Sequence, residues 1–337
     1  MIALIIAGGS GSRLWPLSTP DFPKHLLKIN DDNKSLLQNT YDRAKKISDD
    51  IFVVSEISHI EHVKNQLPEI PEQNFIIEPA RRGTASCIAL SLSRIKSIKN
   101  VDEPVAIISA DHYIRDLDGF KYSFELAAKL TKKFNKIVLI GAEPTYPSTG
   151  FGYIKKGKLV DDNVALFNVD SFKEKPDFKT ATKYLKSGNY IWNCGYFVAS
   201  IETFEKEMSQ NSPELYNNYL SIENGQFDKY LDFENISIDY ALIEKVKDLL
   251  VIPATFDWID LGSFNDLAKV VETNEDGNYV IGNVKTDLVT NCYIQNLESK
   301  PLAVIGLDNC VIVNTKDGLV VTRKDLSQKI GEISKKF

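Results

Sequence analysis

The sequence predicts an α/β fold with a mostly parallel mixed sheet, followed by a smaller all-β region. Up to about residue 270, short apolar runs alternate with longer amphipathic stretches. The runs are Ile2–Ala7, Ile51–Val54, Val105–Ser109 and Lys136–Ile140. Between them Ser35–Ile47, Thr84–Ile98 and Phe120–Phe134 carry apolar residues at i, i+3, i+4 spacing, the period of a helix with one buried face. Runs that are apolar throughout belong to strands covered on both faces, and alternation with helices gives parallel neighbours. In such sheets, ligands bind beyond the carboxyl ends of the strands.

After about residue 275 the texture changes. Asn278–Val284, Cys292–Gln295, Leu302–Ile305, Val311–Val313 and Leu319–Thr322 are short β-branched runs separated by Asn, Asp and Gly. No full helix fits between them, so they predict a few coils of an irregular β-helix. The expected division is therefore a domain over 1–270 and a small β domain over 275–337. The final residues are polar and lysine-rich, which predicts a solvated tail.

Composition bounds the function. A chain of 337 residues with 43% hydrophobic and 26% charged residues is an ordinary globular protein, large enough to fold without a disulfide or structural metal. Its four cysteines (Cys87, Cys194, Cys292, Cys310) form no C-x-x-C, so they read as reduced thiols of a cytoplasmic protein. The opening run is a first strand rather than a leader, with no positive residue before it. No run reaches the roughly 18 apolar residues of a membrane span. A net charge of −6 without a basic block argues against a nucleic-acid partner. Any polyphosphate substrate must therefore meet a few placed cations and a metal.

The first strand runs straight into Gly8-Gly9-Ser10-Gly11-Ser12-Arg13-Leu14. Glycines without a Cβ let backbone N–H groups close on phosphate oxygens. The loop is neither a Walker A motif, since Gly-Lys-Ser/Thr is missing, nor a dinucleotide fingerprint, since Leu14 holds the third glycine's place. On its own it reads equally as a turn. It continues, however, as Arg13-Leu14-Trp15-Pro16-Leu17 and Phe22-Pro23-Lys24.

That combination resembles the signature of the sugar nucleotidylyltransferases, G-G-x-G-x-R-L-x-P-L followed by F-P-K. The resemblance implies that Gly8, Gly9 and Gly11 wrap a nucleoside triphosphate and that Arg13 and Lys24 neutralise it. Cations placed where the leaving pyrophosphate gains charge favour the transition state over the ground state.

Further segments resemble the same family in the same order. Glu78-Pro79-Ala80-Arg81-Arg82-Gly83-Thr84-Ala85 is similar to the E-P-x-x-R-N-T-A-P segment of mannose-1-phosphate guanylyltransferases, which implies that Glu78, Gly83 and Thr84 bind the guanine nucleotide. Gly83 stands there for Asn and Ser86 for Pro. From the residues alone, this stretch reads as a polar loop capping the Thr84 helix. Ile108-Ser109-Ala110-Asp111-His112-Tyr113-Ile114 resembles S-A-D-H-x-I, and Asp257-Trp258-Ile259-Asp260-Leu261-Gly262-Ser263 resembles D-W-x-D-x-G-S. By that resemblance Asp111 and Asp260 bind Mg²⁺, an ion suited to two carboxylates plus phosphate oxygens and waters. Without it, an Asp after a strand is a turn residue.

The sugar side resembles T-G-Y-G-Y-I (Thr149 to Ile154, with Phe151 for Tyr), F-x-E-K-P (Phe172 to Pro176) and W-N-S-G-M-F (Trp192 to Phe197, with Cys194 and Tyr196 replacing Ser and Met). These imply that Gly150, Glu174, Lys175 and Asn193 bind the sugar phosphate, with Lys175 on its phosphate. Trp192 and Trp258 suit pocket walls. An exposed Glu-Lys pair ahead of a proline is the alternative for Glu174 and Lys175. His59-x-x-His62 lacks a third ligand, and Cys194 lacks an adjacent histidine.

The resemblance covers nearly the whole chain and is nearest to the short form of mannose-1-phosphate guanylyltransferase, without the isomerase domain of the long form. It implies a Rossmann-like, GT-A-like nucleotidyltransferase domain and a small β-helix-like domain, the latter a candidate homodimer contact. GTP and mannose 1-phosphate are the implied substrates and Mg²⁺ the cofactor, in an in-line displacement with no covalent intermediate. The substitutions at Gly83, Ser86, Cys194 and Tyr196 leave another sugar 1-phosphate, such as a heptose, or a uridylyl or thymidylyl donor, open. A regulatory subunit that binds GDP-mannose would have lost its charged positions. A glycosyltransferase would lack the glycine loop and carry a D-x-D motif.

Overall fold

A computed structural model describes residues 1–9, 11–29, 33–99 and 102–337; Ser10 of the glycine loop lies outside them. The chain forms two compact units. The first comprises Met1–Ala7, Tyr41–Ser109 and Ile114–Trp258, and the second Gly8–Thr40, Ala110–Tyr113 and Ile259–Phe337. The chain is thus cut differently from the texture change near residue 275.

The first unit is built on a nine-stranded sheet. Its strands are β1 (Ile2–Ala7), β2 (Asp50–Glu56), β3 (Phe75–Glu78), β4 (Pro104–Ser109) and β5 (Val138–Ala142). They continue with β6 (Tyr153–Asp161), β7 (Leu166–Lys173), β8 (Tyr190–Ser200) and β9 (Leu250–Pro253). The order is β3-β2-β1-β4-β8-β5-β9-β7-β6. The first four strands pair in parallel, as expected. The parallel run then ends. β8 enters antiparallel between β4 and β5, β9 is parallel to β5, and β7 and β6 are antiparallel again. The sheet is therefore mixed rather than mostly parallel, because β8 returns from the chain's middle to fill the gap between β4 and β5.

Helices α1 (Leu36–Ala44), α2 (Ile60–Gln66), α3 (Gly83–Lys96) and α4 (Leu117–Phe134) follow in chain order, and α1, α3 and α4 fall where the helical period predicts. α4 begins earlier than expected because Asp116 caps it, its carboxylate accepting from Gly119 N. The unit's core packs Ile2, Leu4 and Phe52 of the sheet against Ile88 and Leu92 of α3. No helix among the described residues is long and apolar enough to cross a membrane.

In the second unit Tyr279–Ile281, Tyr293–Asn296 and Cys310–Thr315 form a parallel ladder closed by antiparallel Gly318–Arg323. Val284–Asp287 pairs in parallel with Leu302–Ile305. Hydrogen bonds between residues 18 apart join one layer to the next: the Thr290 hydroxyl donates to Asp308 at 2.6 Å, the Cys310 backbone N–H to Cys292 Sγ at 3.3 Å, and the Asn314 side chain to that of Asn296 at 2.9 Å. All four cysteines are free thiols.

The expected solvated tail is corrected here. Residues 324–336 form short helical turns, and Ile330, only 4% exposed, joins the unit's core with Leu14, Leu261 and Phe264. Burying Ile330 contributes roughly 1.5–3 kcal/mol toward holding this lysine-rich stretch against the core.

Candidate active site

The residues singled out from sequence fall into three groups, one in the second unit and two in the first. In the second unit, Gly11 adopts a left-handed conformation (φ 60°) and starts the helical turn Ser12–Leu14. A Cβ there would lie 2.5 Å from Lys24 Cβ, so only glycine lets the loop pass that close. Gly9 also has a positive φ, at 94°. Glycines in such conformations turn nearby N–H groups toward one concavity, the geometry of an anion nest.

Lys24 is buried, and its ammonium is shared by two carboxylates. Nζ lies 2.9 Å from Asp111 Oδ2 and 2.9 Å from Asp260 Oδ1. A short antiparallel bridge makes this possible, pairing His112 with Asp260 and Tyr113 with Ile259. Burial alone would lower the lysine's pKa, but the two carboxylates outweigh it and hold the ammonium above its ordinary range.

Two carboxylate oxygens converging on a single cationic point fit a divalent cation whose remaining ligands are phosphate oxygens and waters. Among the described residues no group of three or more His, Cys, Asp or Glu side chains could hold a metal. A site needing substrate to complete it is the kind this pair can form. Arg13 is exposed, and its Nη1 donates to Gln328 Oε1 at 3.1 Å.

In the first unit, Glu174 is 7% exposed at the end of β7. Its Oε1 lies 3.4 Å from Lys175 Nζ, while Oε2 is buried with no hydrogen-bond partner. Such an orphan acceptor is expensive unless a ligand donates to it. Burial, and then the nearby Asp239 charge, push the Glu174 carboxyl up to about 7, against the pull of Lys175. Lys175 itself has φ 43°, a strained conformation for a residue with a side chain, of the kind that gathers at functional sites.

Asn193 is clamped at both ends. Its Oδ1 accepts from Gly195 N at 3.0 Å, and its Nδ2 donates to Asp239 Oδ1 at 2.7 Å. Gly150 N donates to Ser148 Oγ at 3.2 Å, and Tyr153 OH to Ser148 O at 3.0 Å, shaping the turn. Beside it Phe151 packs edge-on to Trp192 and Trp258, with centroids 5.1 and 5.0 Å away.

The third sequence-marked loop serves as a brace. Glu78 Oε1 accepts from Tyr230 OH at 2.8 Å and from Arg82 N at 3.3 Å, and burial raises its pKa. Thr84 does not cap its helix; its Oγ1 accepts from Ile238 N at 2.9 Å. Gly83 has φ 75°, and a Cβ there would collide with the Ile236 carbonyl. A residue with a Cβ at this position, Asn included, would need the Ile236 backbone to shift, whereas glycine fits the turn as it stands.

Sequence reasoning missed Asp239 and Gln328. Asp239 opens a five-residue π-helix, Asp239–Ile243, a rare turn common near functional sites. Nothing in its apolar-periodic surroundings distinguishes it. Gln328 lies in the polar tail.

A family model described as nucleotidyl transferase matches residues 2–277. The chain belongs to the nucleotidyl transferase family. Among curated members, it is 33% identical to a mannose-1-phosphate guanylyltransferase of Escherichia coli, over 99% of this chain and 75% of that one. It is 35% identical to mannose-1-phosphate guanylyltransferase RfbM of Salmonella typhimurium, over 98% and 71%. The alginate biosynthesis protein AlgA of Pseudomonas putida is 33% identical, over 99% and 71%. The crystal structure described as mannose-1-phosphate geranyltransferase from Thermus thermophilus matches with a TM-score of 0.86 and 25% identity, covering 99% of this chain and 98% of that one. This nucleotidyl transferase thus shares its α/β architecture with a solved relative along almost its whole length.

Proposed function

We infer that the protein transfers GMP from GTP to α-D-mannose 1-phosphate, releasing pyrophosphate and forming GDP-mannose. The observation that carries this reading is the convergence of Asp111 and Asp260 on Lys24. Relatives named mannose-1-phosphate guanylyltransferase at 33–35% identity favour GTP and mannose as the specific pair.

In this reading a phosphate oxygen of mannose 1-phosphate attacks the α-phosphorus of GTP. The bond from that phosphorus to the oxygen bridging the β-phosphate breaks, and pyrophosphate leaves with the electron pair. The nucleophile is already an anion, so no general base is needed. Amides of Gly8, Gly9 and Gly11 receive triphosphate oxygens, and Arg13 and Lys24 neutralise the departing pyrophosphate. Asp111 and Asp260 would hold Mg²⁺, which supplies charge neutralisation at the reacting phosphates. Glu174 accepts from sugar hydroxyls through its orphan oxygen, Asn193 fixes the sugar's orientation, Lys175 holds the sugar phosphate, and Gly150 lets the turn approach it. Glu78, Gly83 and Thr84 shape the loop at the base.

The parallel ladder of the second unit is proposed as a short β-helix, and its outer face as the contact for a second copy. The reaction sits with cytoplasmic nucleotide-sugar synthesis.

Pyrophosphate release by the purified protein with Mg²⁺ tests the reading, offering GTP, UTP, dTTP and ATP against mannose 1-phosphate, glucose 1-phosphate and a heptose 1-phosphate. Release confined to GTP with mannose 1-phosphate is expected. Release only with another pair replaces the substrates; none with any pair overturns the activity.

A further inference from the structure

The C-terminal segment touches the glycine loop and the residues after it at four places. Gln328 Oε1 accepts from Arg13 Nη1 at 3.1 Å. Gly331 lies so close that a Cβ on it would sit 2.8 Å from Arg13 Cγ and 3.4 Å from Ser12 Oγ. Ser334 Oγ donates to the Ser12 carbonyl at 3.4 Å. Phe337 stacks on Trp15, the ring centroids 5.1 Å apart and the planes 23° apart. Ile330 anchors the segment by burial in the core that also contains Leu14.

These contacts gather around a single arginine. Arg13 is exposed and long, so in isolation its guanidinium would sample many rotamers, each of which must be given up when an anion binds. The aliphatic stem is pinned by Gly331, and one arm of the guanidinium is fixed by Gln328. A neutral amide oxygen does this without cancelling the positive charge, which an acidic residue in the same place would do. Gly331 belongs to the helical turn Ile330–Ile333, where alanine would be the better helix former. The close approach to Arg13 accounts for glycine at that position.

We propose that the segment Gln328–Phe337 is a positioning strap that pre-sets Arg13 for the triphosphate, with Gln328 and Gly331 as its positioning residues. The proposal rests on the role assigned to Arg13 above. It makes a segment more than 300 residues from the glycine loop part of nucleotide recognition.

Steady-state kinetics on the whole chain test it, with Gln328→Ala, Gln328→Met, Gly331→Ala, Arg13→Ala and the double variant Arg13→Ala/Gln328→Ala. Losing one hydrogen bond to an exposed charged group predicts a roughly threefold to tenfold rise in KM for GTP in Gln328→Ala and Gln328→Met. Gly331→Ala is expected to do the same even though it favours the helical turn. KM for mannose 1-phosphate and the melting temperature stay at wild-type values in all three. In the Arg13→Ala background, Gln328→Ala has no further effect, because it acts only through that side chain. A GTP KM unchanged in Gln328→Ala and Gly331→Ala, with Arg13→Ala impaired, overturns the strap alone, as does a Gln328→Ala effect that persists undiminished without Arg13. Wild-type kinetics in Arg13→Ala overturns the role of Arg13 itself, and the strap with it.

Discussion

Asn193 donates its side-chain amide to Asp239 across 2.7 Å, joining residues 46 apart in the chain. With Gly195 N on its other end, Asn193 has no rotational freedom left for its amide group. The orientation of that amide is therefore set by Asp239 and Gly195, which matters to the sugar if Asn193 has the role proposed for it. Replacing Asp239 with Ala is expected to raise KM for mannose 1-phosphate on the order of tenfold, the loss of a hydrogen bond to a charged acceptor, while KM for GTP stays unchanged. Initial-rate measurements varying each substrate in turn check this.

Lys24 carries both charge and packing. Lys24→Met keeps most of the buried stem and removes the ammonium. Turnover is expected to fall about 100- to 1,000-fold, the usual loss for removing a preorganised group opposite developing charge. The melting temperature should fall too, since Asp111 and Asp260 then face each other without the shared cation. Differential scanning fluorimetry beside the activity assay separates the two effects; wild-type turnover would remove Lys24 from the mechanism.

The Glu174 carboxyl, pushed up to about 7 from an ordinary 4.5, sets a pH window. Between those values the folded state binds a proton that the unfolded chain has released, so stability is greatest at the acid end and declines as pH rises toward 7. Glu174→Gln removes this penalty. It should therefore be more stable than wild type at pH 8, by at most about 3 kcal/mol, and nearly equal at pH 4.5. Sugar binding runs the other way, since the ionised carboxylate is the stronger acceptor for a sugar hydroxyl at its orphan oxygen. KM for mannose 1-phosphate should rise in wild type as pH drops below 7 and lose that dependence in Glu174→Gln. Urea titrations and kinetics across pH 5 to 8 check both halves.

Gly83 is bound by its backbone rather than by chemistry. Gly83→Ala places a methyl group against the Ile236 carbonyl at positive φ, and should destabilise the protein by roughly 1–3 kcal/mol. Because the same loop is braced through Thr84 and Ile238, KM for GTP should rise as well. A variant of wild-type stability would show that Ile236 moves aside freely.

Much of this is legible from the residues. Strand Ile2–Ala7 reads true to the residue, because apolar side chains on both faces leave no other assignment. Lys24, Asp111 and Asp260 are marked only by the resemblance of their motifs to the family, and no pattern shows that one ammonium would bridge both carboxylates. The entry of Tyr190–Ser200 antiparallel between two strands is not legible: its sequence marks a strand, but strand order depends on packing far along the chain. Asp239 is hidden because a single acidic residue in an amphipathic run is normally on a wet face. Ile330 is hidden because a lone apolar residue among lysines carries no period.

The second unit draws on three separate stretches of chain, and Lys24 and Asp260 lie 236 positions apart. During synthesis Lys24 is made 236 residues before Asp260, the carboxylate that completes its cluster, and Ile330 is made later still. Vectorial translation therefore leaves that lysine waiting, one of its partners not yet made, while the first unit's early strands can already pair. Contacts of such long sequence separation form slowly, because the intervening chain must be closed into a loop first. The cluster around Lys24 is thus late to assemble, and a nascent chain stalled before Asp260 would leave that ammonium with one of its two carboxylates missing.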